Sequence, residues 1–171
     1  FQMNKSSFYF MRHGQTDWNA QQILMGQKDI PLNDLGKEQA KKTIQKVQKL
    51  NIQTIYTSPL KRAFETAQII ANALNINLII IEDLKEAHFG LHEGKKIKEN
   101  FIESWIDGNI NNISCESFQD VHKRIQPIVD TMQKNPHNNL IIAHGIIFLA
   151  ITKLLGNDIV LLKNTEIIQL G

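Results

Sequence analysis

The stretch "FYFMRHG", Phe8 to Gly14, sets the interpretation of the whole chain. Its apolar run leads directly into arginine, histidine and glycine, and "LIIAHG", Leu140 to Gly145, ends in the same way. A short apolar run bounded by a turn residue is typical of a strand that is buried on both faces. The two stretches therefore predict two buried strands that each place a histidine at the carboxyl end.

The rest of the chain alternates similar apolar runs with helical patterns. Further strands are predicted at "IQTIYT" (52–57), "INLIII" (76–81) and "TEIIQL" (165–170), and helices at 32–50, 58–74, 116–134 and 146–155. Asn33 or Asp34 is expected to cap the first helix, and Ser58 with Pro59 to begin the second. This alternation predicts an α/β protein, a three-layer sandwich whose mostly parallel central sheet carries helices on both faces.

Length and composition limit the organisation of the chain. Its 171 residues contain no visible linker, so one domain is expected over residues 1–171, with residues 87–115 as a lid or insert. Phe1 and Gln2, which precede Met3, are interpreted as residues added ahead of the natural start. A single cysteine, Cys115, allows no internal disulfide and favours a cytoplasmic location.

Charge and hydropathy exclude some partners. The 19 Lys and Arg nearly balance the 17 Asp and Glu, which argues against nucleic-acid binding through phosphates. No segment reaches the length of about 18 apolar residues that spans a membrane, and no signal peptide is visible. We expect a small-molecule substrate and either a monomer or a homodimer.

The predicted sheet gathers polar residues at one edge. Ligands of open α/β sheets lie outside the carboxyl ends of the strands. His13 and His144 follow two predicted strands, Ser58 and Arg62 follow a third, and Glu86 follows a fourth. Four strand–helix junctions are therefore expected to contribute polar groups to one cleft.

The chemistry of these residues favours a phosphate site. Arg12 lies beside His13, and Arg62 lies in the first turn of a predicted helix. A guanidinium group binds two oxygens of a phosphate at once, in a bidentate contact. Gly14 and Gly145 would allow backbone N–H groups to approach the same anion without an intervening Cβ.

A phosphoryl-transfer mechanism follows from this set. Nearby cations keep a histidine neutral, so His13 is expected to attack phosphorus and form a phosphohistidine. Glu86 is expected to protonate the leaving oxygen and later to activate water, while His144 donates to a phosphoryl oxygen. No metal or cofactor is expected; His88 and His92 have the spacing of helical metal ligands, but Gly90 between them argues against a helix.

Four motifs in order give the chain a resemblance to the histidine phosphatase superfamily, closest to its phosphoglycerate-mutase-like branch. They are "RHG" at Arg12–Gly14, "SPLKRAFETA" at Ser58–Ala67, "LKEAHFGLHEG" at Leu84–Gly94 and "AHG" at Ala143–Gly145. The resemblance implies the same five roles, with His13 as nucleophile, Glu86 as proton donor, and Arg12, Arg62 and His144 around the phosphate. The "DWN" stretch is also similar to the family and implies that Asn19 lies near the substrate phosphate.

Two departures from the family pattern stand out. Cys115 replaces the glycine of a common "GES" stretch, which leaves a substrate contact there in doubt, and Gln15 replaces a glutamate that often follows Gly14.

Three functions stay open at this point. A phosphatase for small phosphomonoesters is favoured, because the region between Glu86 and Glu116 is short and resembles the phosphatase members. The alternatives are a cofactor-dependent phosphoglycerate mutase, which must shield its phosphohistidine from water, and an inactive phosphate-binding module. Lys95, Lys96 and Lys98 could meet a second anionic group of the substrate, although a solvated surface is the favoured interpretation.

Overall fold

A five-stranded, mostly parallel sheet lies at the centre of the computed structural model, which describes residues 6–110, 114–158 and 160–171. The strands of this part of the chain are β1 (Phe8–Arg12), β2 (Thr54–Thr57), β3 (Asn77–Ile80), β4 (Asn139–Ala143) and β5 (Ile167–Leu170). Their order across the sheet is β3-β2-β4-β1-β5, and β5 alone runs antiparallel, at one edge. All five predicted strands are confirmed.

Helices cover the two faces of the sheet. They are α1 (Asp17–Ala20), α2 (Asp34–Lys49), α3 (Lys61–Leu74), α4 (Phe101–Ile106), α5 (Phe118–Lys134) and α6 (Gly145–Leu154), with single 3₁₀ turns at Glu82–Leu84 and Gly90–His92. The helices α2 and α3 pack together, as do α5 and α6. No helix in the described ranges is long and apolar enough to cross a membrane.

The side chains of β4 alternate between two hydrophobic cores, one on each face of the sheet. Leu140 and Ile142 join the cluster on the α2–α3 side, whereas Ile141 and Ala143 join the larger cluster on the α5–α6 side. Every residue of β4 is buried, because successive side chains point to opposite covered faces. The three-layer α/β sandwich predicted from the sequence is confirmed.

Strand register aligns the ends of the three central strands. Arg12 pairs with Ala143, and Thr57 pairs with Ile142. The backbone N–H of His13 donates to the Ala143 carbonyl at 3.0 Å, and that of Ser58 donates to the Ile142 carbonyl at 3.3 Å. The residues that follow these strands therefore lie along one rim of the sheet.

The helix starts are confirmed at α2 and wrong at α3. Asn33 caps α2, accepting from the Gly36 N–H at 2.8 Å. Helix α3 begins at Lys61 rather than at Pro59, and Leu60 occupies its cap position without a side-chain bond. Instead the Asp29 carboxylate accepts from the Lys61 N–H at 2.7 Å, so a distant loop supplies the cap.

The lid or insert region contains more structure than the sequence predicts. Within residues 87–110, helix α4 places Phe101 and Trp105 against Phe89, and the Phe89 and Trp105 rings meet edge to face at 4.9 Å. Trp105 Nε1 also donates to the Glu116 carbonyl at 2.8 Å. Residues 111–113 of this region, and the proposed added residues Phe1 and Gln2 with Met3, lie outside the described residues.

Candidate active site

A cavity of about 290 Å³ opens at the carboxyl ends of the central strands. Arg12, His13, Arg62 and Glu86 line it, and Asn19 and Gly145 complete its polar part. His144 is completely buried beside His13, with 5.3 Å between the two ring centroids. The structure thus brings together the five residues predicted for phosphoryl transfer, from sequence positions 12 to 144.

The ring of His13 is held in one orientation and one tautomer. Its Nδ1 lies 2.6 Å from the Gly14 carbonyl oxygen, which only accepts hydrogen bonds. Nδ1 therefore carries the proton, and Nε2 keeps a lone pair. Burial, followed by the charges of Arg62 and Arg12, lowers the pKa of His13 well below its usual value. The result is a buried imidazole that is neutral and nucleophilic at neutral pH.

Arg62 is almost completely buried and rigidly held. Its Nη1 donates to the Lys28 carbonyl at 2.8 Å and its Nη2 to the Gly26 carbonyl at 2.6 Å. Burial lowers the pKa of Arg62 to about 10, which leaves the guanidinium charged at neutral pH. Its Nε is buried and has no hydrogen-bond partner among the described residues.

Arg12 presents a second donor of the same kind. Its Nη1 donates to the Leu162 carbonyl at 2.8 Å, while its buried Nε has no partner in the described part of the chain. Burial is the main cause that lowers the pKa of Arg12, and the charge of Glu86 opposes it. Two unpartnered, charged N–H donors on one cavity wall fit an anion with several oxygens.

Glu86 is buried and held by two backbone donors. Its Oε1 accepts from the Ala87 N–H at 3.0 Å, and its Oε2 accepts from the Ile146 N–H at 3.2 Å, in the first turn of α6. Burial raises the pKa of Glu86, against the opposing effect of these N–H groups and of Arg62 and Arg12. A raised pKa is what a carboxyl group needs to act as a proton donor.

Ser58 contacts His144 instead of the cavity, which corrects its predicted role in substrate binding and as a helix cap. Ser58 Oγ accepts from the Leu60 N–H at 3.2 Å and lies 2.7 Å from His144 Nε2. Because Nε2 is the only acceptor near the Ser58 hydroxyl among the described residues, we assign the hydroxyl proton to this bond, which places the His144 proton on Nδ1. That Nδ1 is buried and has no partner among the described residues.

The protonation state of His144 supports this assignment. Burial, followed by the charges of Arg62 and His13, lowers the pKa of His144 well below its usual value. A neutral imidazole has one N–H, and here that donor is Nδ1. His144 therefore presents an uncommitted donor next to the His13 ring.

The two predicted glycines differ in role. Gly14 donates its N–H to Thr66 Oγ1 at 3.0 Å, so the predicted contact of this N–H with an anion is wrong. A Cβ at Gly14 would lie 2.5 Å from the Gly36 carbonyl oxygen, so glycine is needed there for the close approach of α2. Gly145 lines the cavity, and a Cβ there would lie 3.8 Å from Arg12 Nε.

A segment near the end of the described chain also reaches the site, and the sequence analysis missed it. Leu161 and Leu162 line the cavity, and Asn164 Nδ2 donates to the His13 carbonyl at 2.9 Å. The same amide lies 3.4 Å from Asn19 Oδ1. No sequence signal marks this segment, since it has neither periodicity nor a motif.

Several other candidates lie outside this cavity. Lys95, Lys96 and Lys98 line a smaller neighbouring cavity, and Lys96 Nζ donates to the Gln21 carbonyl at 2.6 Å. His88 Nδ1 lies 2.8 Å from the Ser114 carbonyl oxygen. Across residues 6–110, 114–158 and 160–171, no three His, Cys, Asp or Glu side chains are grouped to hold a metal ion.

Comparisons with known proteins agree with the motifs. The model of the histidine phosphatase superfamily (branch 1) matches residues 8–170. An uncharacterized phosphatase of Bacillus subtilis, PhoE, is 36% identical over 151 residues, covering 86% of this chain and 77% of the relative. A probable phosphoglycerate mutase of Escherichia coli, GpmB, is 31% identical over 148 residues, covering 81% of this chain and 69% of the relative.

A solved structure adds a likeness in three dimensions. The phosphoserine phosphatase of Entamoeba histolytica, in complex with 3-phosphoglyceric acid, is 29% identical to this chain. The two superimpose with a TM-score of 0.77 over 95% of this chain and 89% of the other.

Proposed function

Because this chain belongs to the histidine phosphatase superfamily, branch 1, we propose that it hydrolyses small-molecule phosphomonoesters through a phosphohistidine on His13. One observation carries the proposal. The 2.6 Å bond from His13 Nδ1 to the Gly14 carbonyl leaves Nε2 as a neutral nucleophile beside the cavity. A cytoplasmic setting belongs to the same proposal and rests on the single cysteine.

In the first half of the reaction, the phosphoryl group moves from the ester to the enzyme. His13 Nε2 attacks phosphorus, the bond from phosphorus to the alcohol oxygen breaks, and Glu86 gives its proton to that oxygen. The approaching phosphate dianion raises the pKa of Glu86 further, because like charges disfavour its ionised form. The products are the free alcohol, a phosphorylated His13 and an ionised Glu86.

In the second half, water takes the place of the alcohol. The Glu86 carboxylate accepts a proton from water as the water oxygen attacks phosphorus, and the bond from phosphorus to Nε2 breaks. Inorganic phosphate leaves, and His13 and Glu86 return to their starting protonation states. Arg12 Nε, Arg62 Nε and His144 Nδ1 donate to the phosphoryl oxygens while charge builds on them.

Transfer back to a phosphoglycerate is the second candidate function, because one relative is named a probable phosphoglycerate mutase. It uses the same nucleophile and the same acid. The two candidates differ in whether water or an alcohol receives the phosphoryl group.

The test is to trap the intermediate. The protein is incubated with a ³²P-labelled ester and quenched in alkali, in which phosphohistidine survives and acyl phosphates do not. Label is expected on His13, and it should be lost in His13→Ala but kept in His137→Ala, an exposed histidine remote from the cavity. Normal turnover by His13→Ala would refute the mechanism.

A second measurement identifies whether water or an alcohol accepts the phosphoryl group. Free phosphate and interconversion of 2- and 3-phosphoglycerate are measured in parallel on one sample. Phosphate release without interconversion supports the phosphatase, and interconversion that exceeds phosphate release supports the mutase.

A further inference from the structure

The lining of the catalytic cavity combines a few charged or titratable side chains with a larger number of apolar ones. Among the described residues, the charged or titratable ones are Arg12, His13, Arg62 and Glu86, each of which the proposed phosphoryl transfer uses. Nine of the sixteen lining residues are Ile, Leu, Met or Phe. The part that faces the alcohol therefore consists of apolar side chains, with Asn19 as the only polar side chain left over among these residues.

Two apolar side chains at the cavity mouth are unusually exposed. Leu161 is 70% exposed and Ile97 is 44% exposed, although both line the cavity. Leaving large apolar side chains in water at a binding cleft is costly unless a ligand covers them. Ile102 lies between the same cavity and a second one of about 570 Å³, which Ile97 and Leu161 also line.

Among the described residues, the cavity offers a substrate carboxylate no cation beyond Arg12 and Arg62, which the proposed mechanism assigns to the phosphate. The relatives named above point to phosphoglycerate and phosphoserine, both of which carry a carboxylate beside the phosphate ester. In this chain Lys95 and Lys96 line a different cavity, and Lys98 lines only the two neighbouring ones. A carboxylate placed against Ile102 and Leu161 would lose hydration without gaining a partner.

From this arrangement we propose that the preferred substrates are phosphomonoesters of uncharged, apolar alcohols, whose organic part is bound by Ile97, Ile102 and Leu161. This inference rests on the proposed phosphatase function and narrows it to one class of leaving group. It also explains why two exposed apolar residues, Ile97 and Leu161, line the cavity that the alcohol enters.

The experiment compares kcat/KM for phosphate release across a series of n-alkyl phosphates from methyl to hexyl, with 3-phosphoglycerate and phosphoserine alongside. Each added methylene is expected to raise kcat/KM by up to about fourfold until the cavity is filled. The two carboxylate-bearing esters should fall below butyl phosphate by about 100-fold, since their charge is left unpaired.

Leu161→Lys tests the wall itself, with Leu91→Lys as its matched control. Leu91 is 71% exposed, close to the 70% of Leu161, but it lines none of the three cavities described above. Leu161→Lys should lower kcat/KM for hexyl phosphate about tenfold and raise it for 3-phosphoglycerate, and Leu91→Lys should change neither.

The outcomes separate the two proposals. A flat alkyl series, a preference for 3-phosphoglycerate, or equal effects of the two lysine variants would overturn the inference while leaving the phosphatase function in place. Absence of phosphate release from every ester would instead overturn the proposed function.

A second, independent observation concerns Arg124, which contacts the chain around Glu86. Its Nη1 donates to the carbonyls of Asp83 and of Lys85, the latter at 2.8 Å, and its Nη2 donates to the Glu86 carbonyl at 3.3 Å. Three carbonyls of one short segment thus converge on a single guanidinium.

Glu116 holds Arg124 in place. Arg124 Nε donates to Glu116 Oε1 at 2.6 Å and Nη2 to Oε2 at 3.0 Å, a bidentate pair in which each side chain is only 17% exposed. Glu116 Oε2 also accepts from the His88 N–H at 3.1 Å. The pair therefore forms hydrogen bonds with the backbone around Glu86, at residues 83–86 and at His88.

We propose that Arg124 and Glu116 are positioning residues for the proton donor Glu86. They touch neither substrate nor reacting atoms; they hold the backbone from which the Glu86 side chain reaches the cavity. The "CES" stretch, where the sequence left a substrate contact in doubt, thus contributes through Glu116 to the orientation of the acid.

The dependence of kcat on the leaving group distinguishes a role of Arg124 in positioning Glu86 from a role in the stability of the fold alone. Arg124→Met should lower kcat about tenfold for butyl phosphate, whose alcohol needs the proton, and much less for nitrophenyl phosphate. Arg124→Lys cannot reproduce the bidentate fork and should fall between Arg124→Met and wild type. Lys123→Met, at the neighbouring exposed position, serves as the control.

Combination with Glu86→Gln completes the test. If Arg124 acts through Glu86, adding Arg124→Met to Glu86→Gln should not change the ratio of kcat for butyl phosphate to kcat for nitrophenyl phosphate any further. Equal slowing of both substrates by Arg124→Met would show a merely structural role, as would a further change of the ratio in the double variant.

Discussion

Ser58 Oγ lies 2.7 Å from His144 Nε2, although the two residues are 86 positions apart in the chain. The contact exists because β2 and β4 are parallel neighbours that pair Thr57 with Ile142. One residue beyond that pair, the chain places a hydroxyl against an imidazole. The hydroxyl determines which ring nitrogen of His144 has a proton to give.

Ser58→Ala should therefore lower kcat strongly and weaken substrate binding only slightly. Without the hydroxyl, Nε2 of a neutral His144 has no donor, and the tautomer with a proton on Nδ1 is no longer favoured. We expect kcat to fall about tenfold, with KM changed less than threefold, from the loss of one oriented donor. Thr131→Ala, which removes an exposed hydroxyl bonded to the Pro127 carbonyl, should leave both constants unchanged.

Glu86→Gln should lower kcat most for esters whose leaving alcohol needs a proton. Alkyl phosphates are expected to lose about 100- to 10,000-fold in kcat, whereas nitrophenyl phosphate, with a good leaving group, loses far less. Glu65→Gln is the control, because the Glu65 carboxylate does not line the cavity and accepts from the Leu32 N–H. Equal losses for both substrates would mean that Glu86 is structural.

The pH dependence of kcat/KM should be bell-shaped. The pKa of His13 lies well below 6.5, so the nucleophile is lost to protonation only as the pH falls below that value. The pKa of Glu86 lies above 4.5, so the acid is lost to ionisation as the pH rises past its raised value. In Glu86→Gln the alkaline limb should disappear, because glutamine does not ionise. An alkaline limb that is unchanged in this variant would assign it to another group.

Two glycine substitutions should separate folding from anion binding. Gly14→Ala places a Cβ 2.5 Å from the Gly36 carbonyl oxygen, and we expect a loss of about 1–3 kcal/mol in the free energy of unfolding. Gly145→Ala places a Cβ in ordinary contact with Arg12, so the protein should stay folded. Urea unfolding measures the first effect.

Phosphate inhibition measures the effect at Gly145. The added methyl group lies beside Arg12 Nε, a donor that we propose binds the anion, and should weaken inhibition by inorganic phosphate by about tenfold. Unchanged inhibition would mean that the anion does not approach this part of α6.

Local sequence patterns predicted the main elements and the five residues that meet at the cavity. Apolar runs of four to six residues mark strands buried on both faces, and helical spacing of apolar residues marks the helices between them. Since parallel strands share the rim at their carboxyl ends, the sequence alone assigns His13, Arg62, Glu86 and His144 to one cleft.

The sequence by itself determined that Arg12, His13, Arg62, Glu86 and His144 meet at one rim, because each lies at or just beyond the end of a strand that shares this rim. Only the tertiary structure decided what each group contacts. Ser58 contacts His144, Gly14 allows the close approach of Gly36, Arg124 binds the backbone around Glu86, and Leu161 lines the cavity. These pairs join residues 22 to 86 positions apart or lie in a segment without a motif, and they arise from strand order and helix packing, which no local pattern contains.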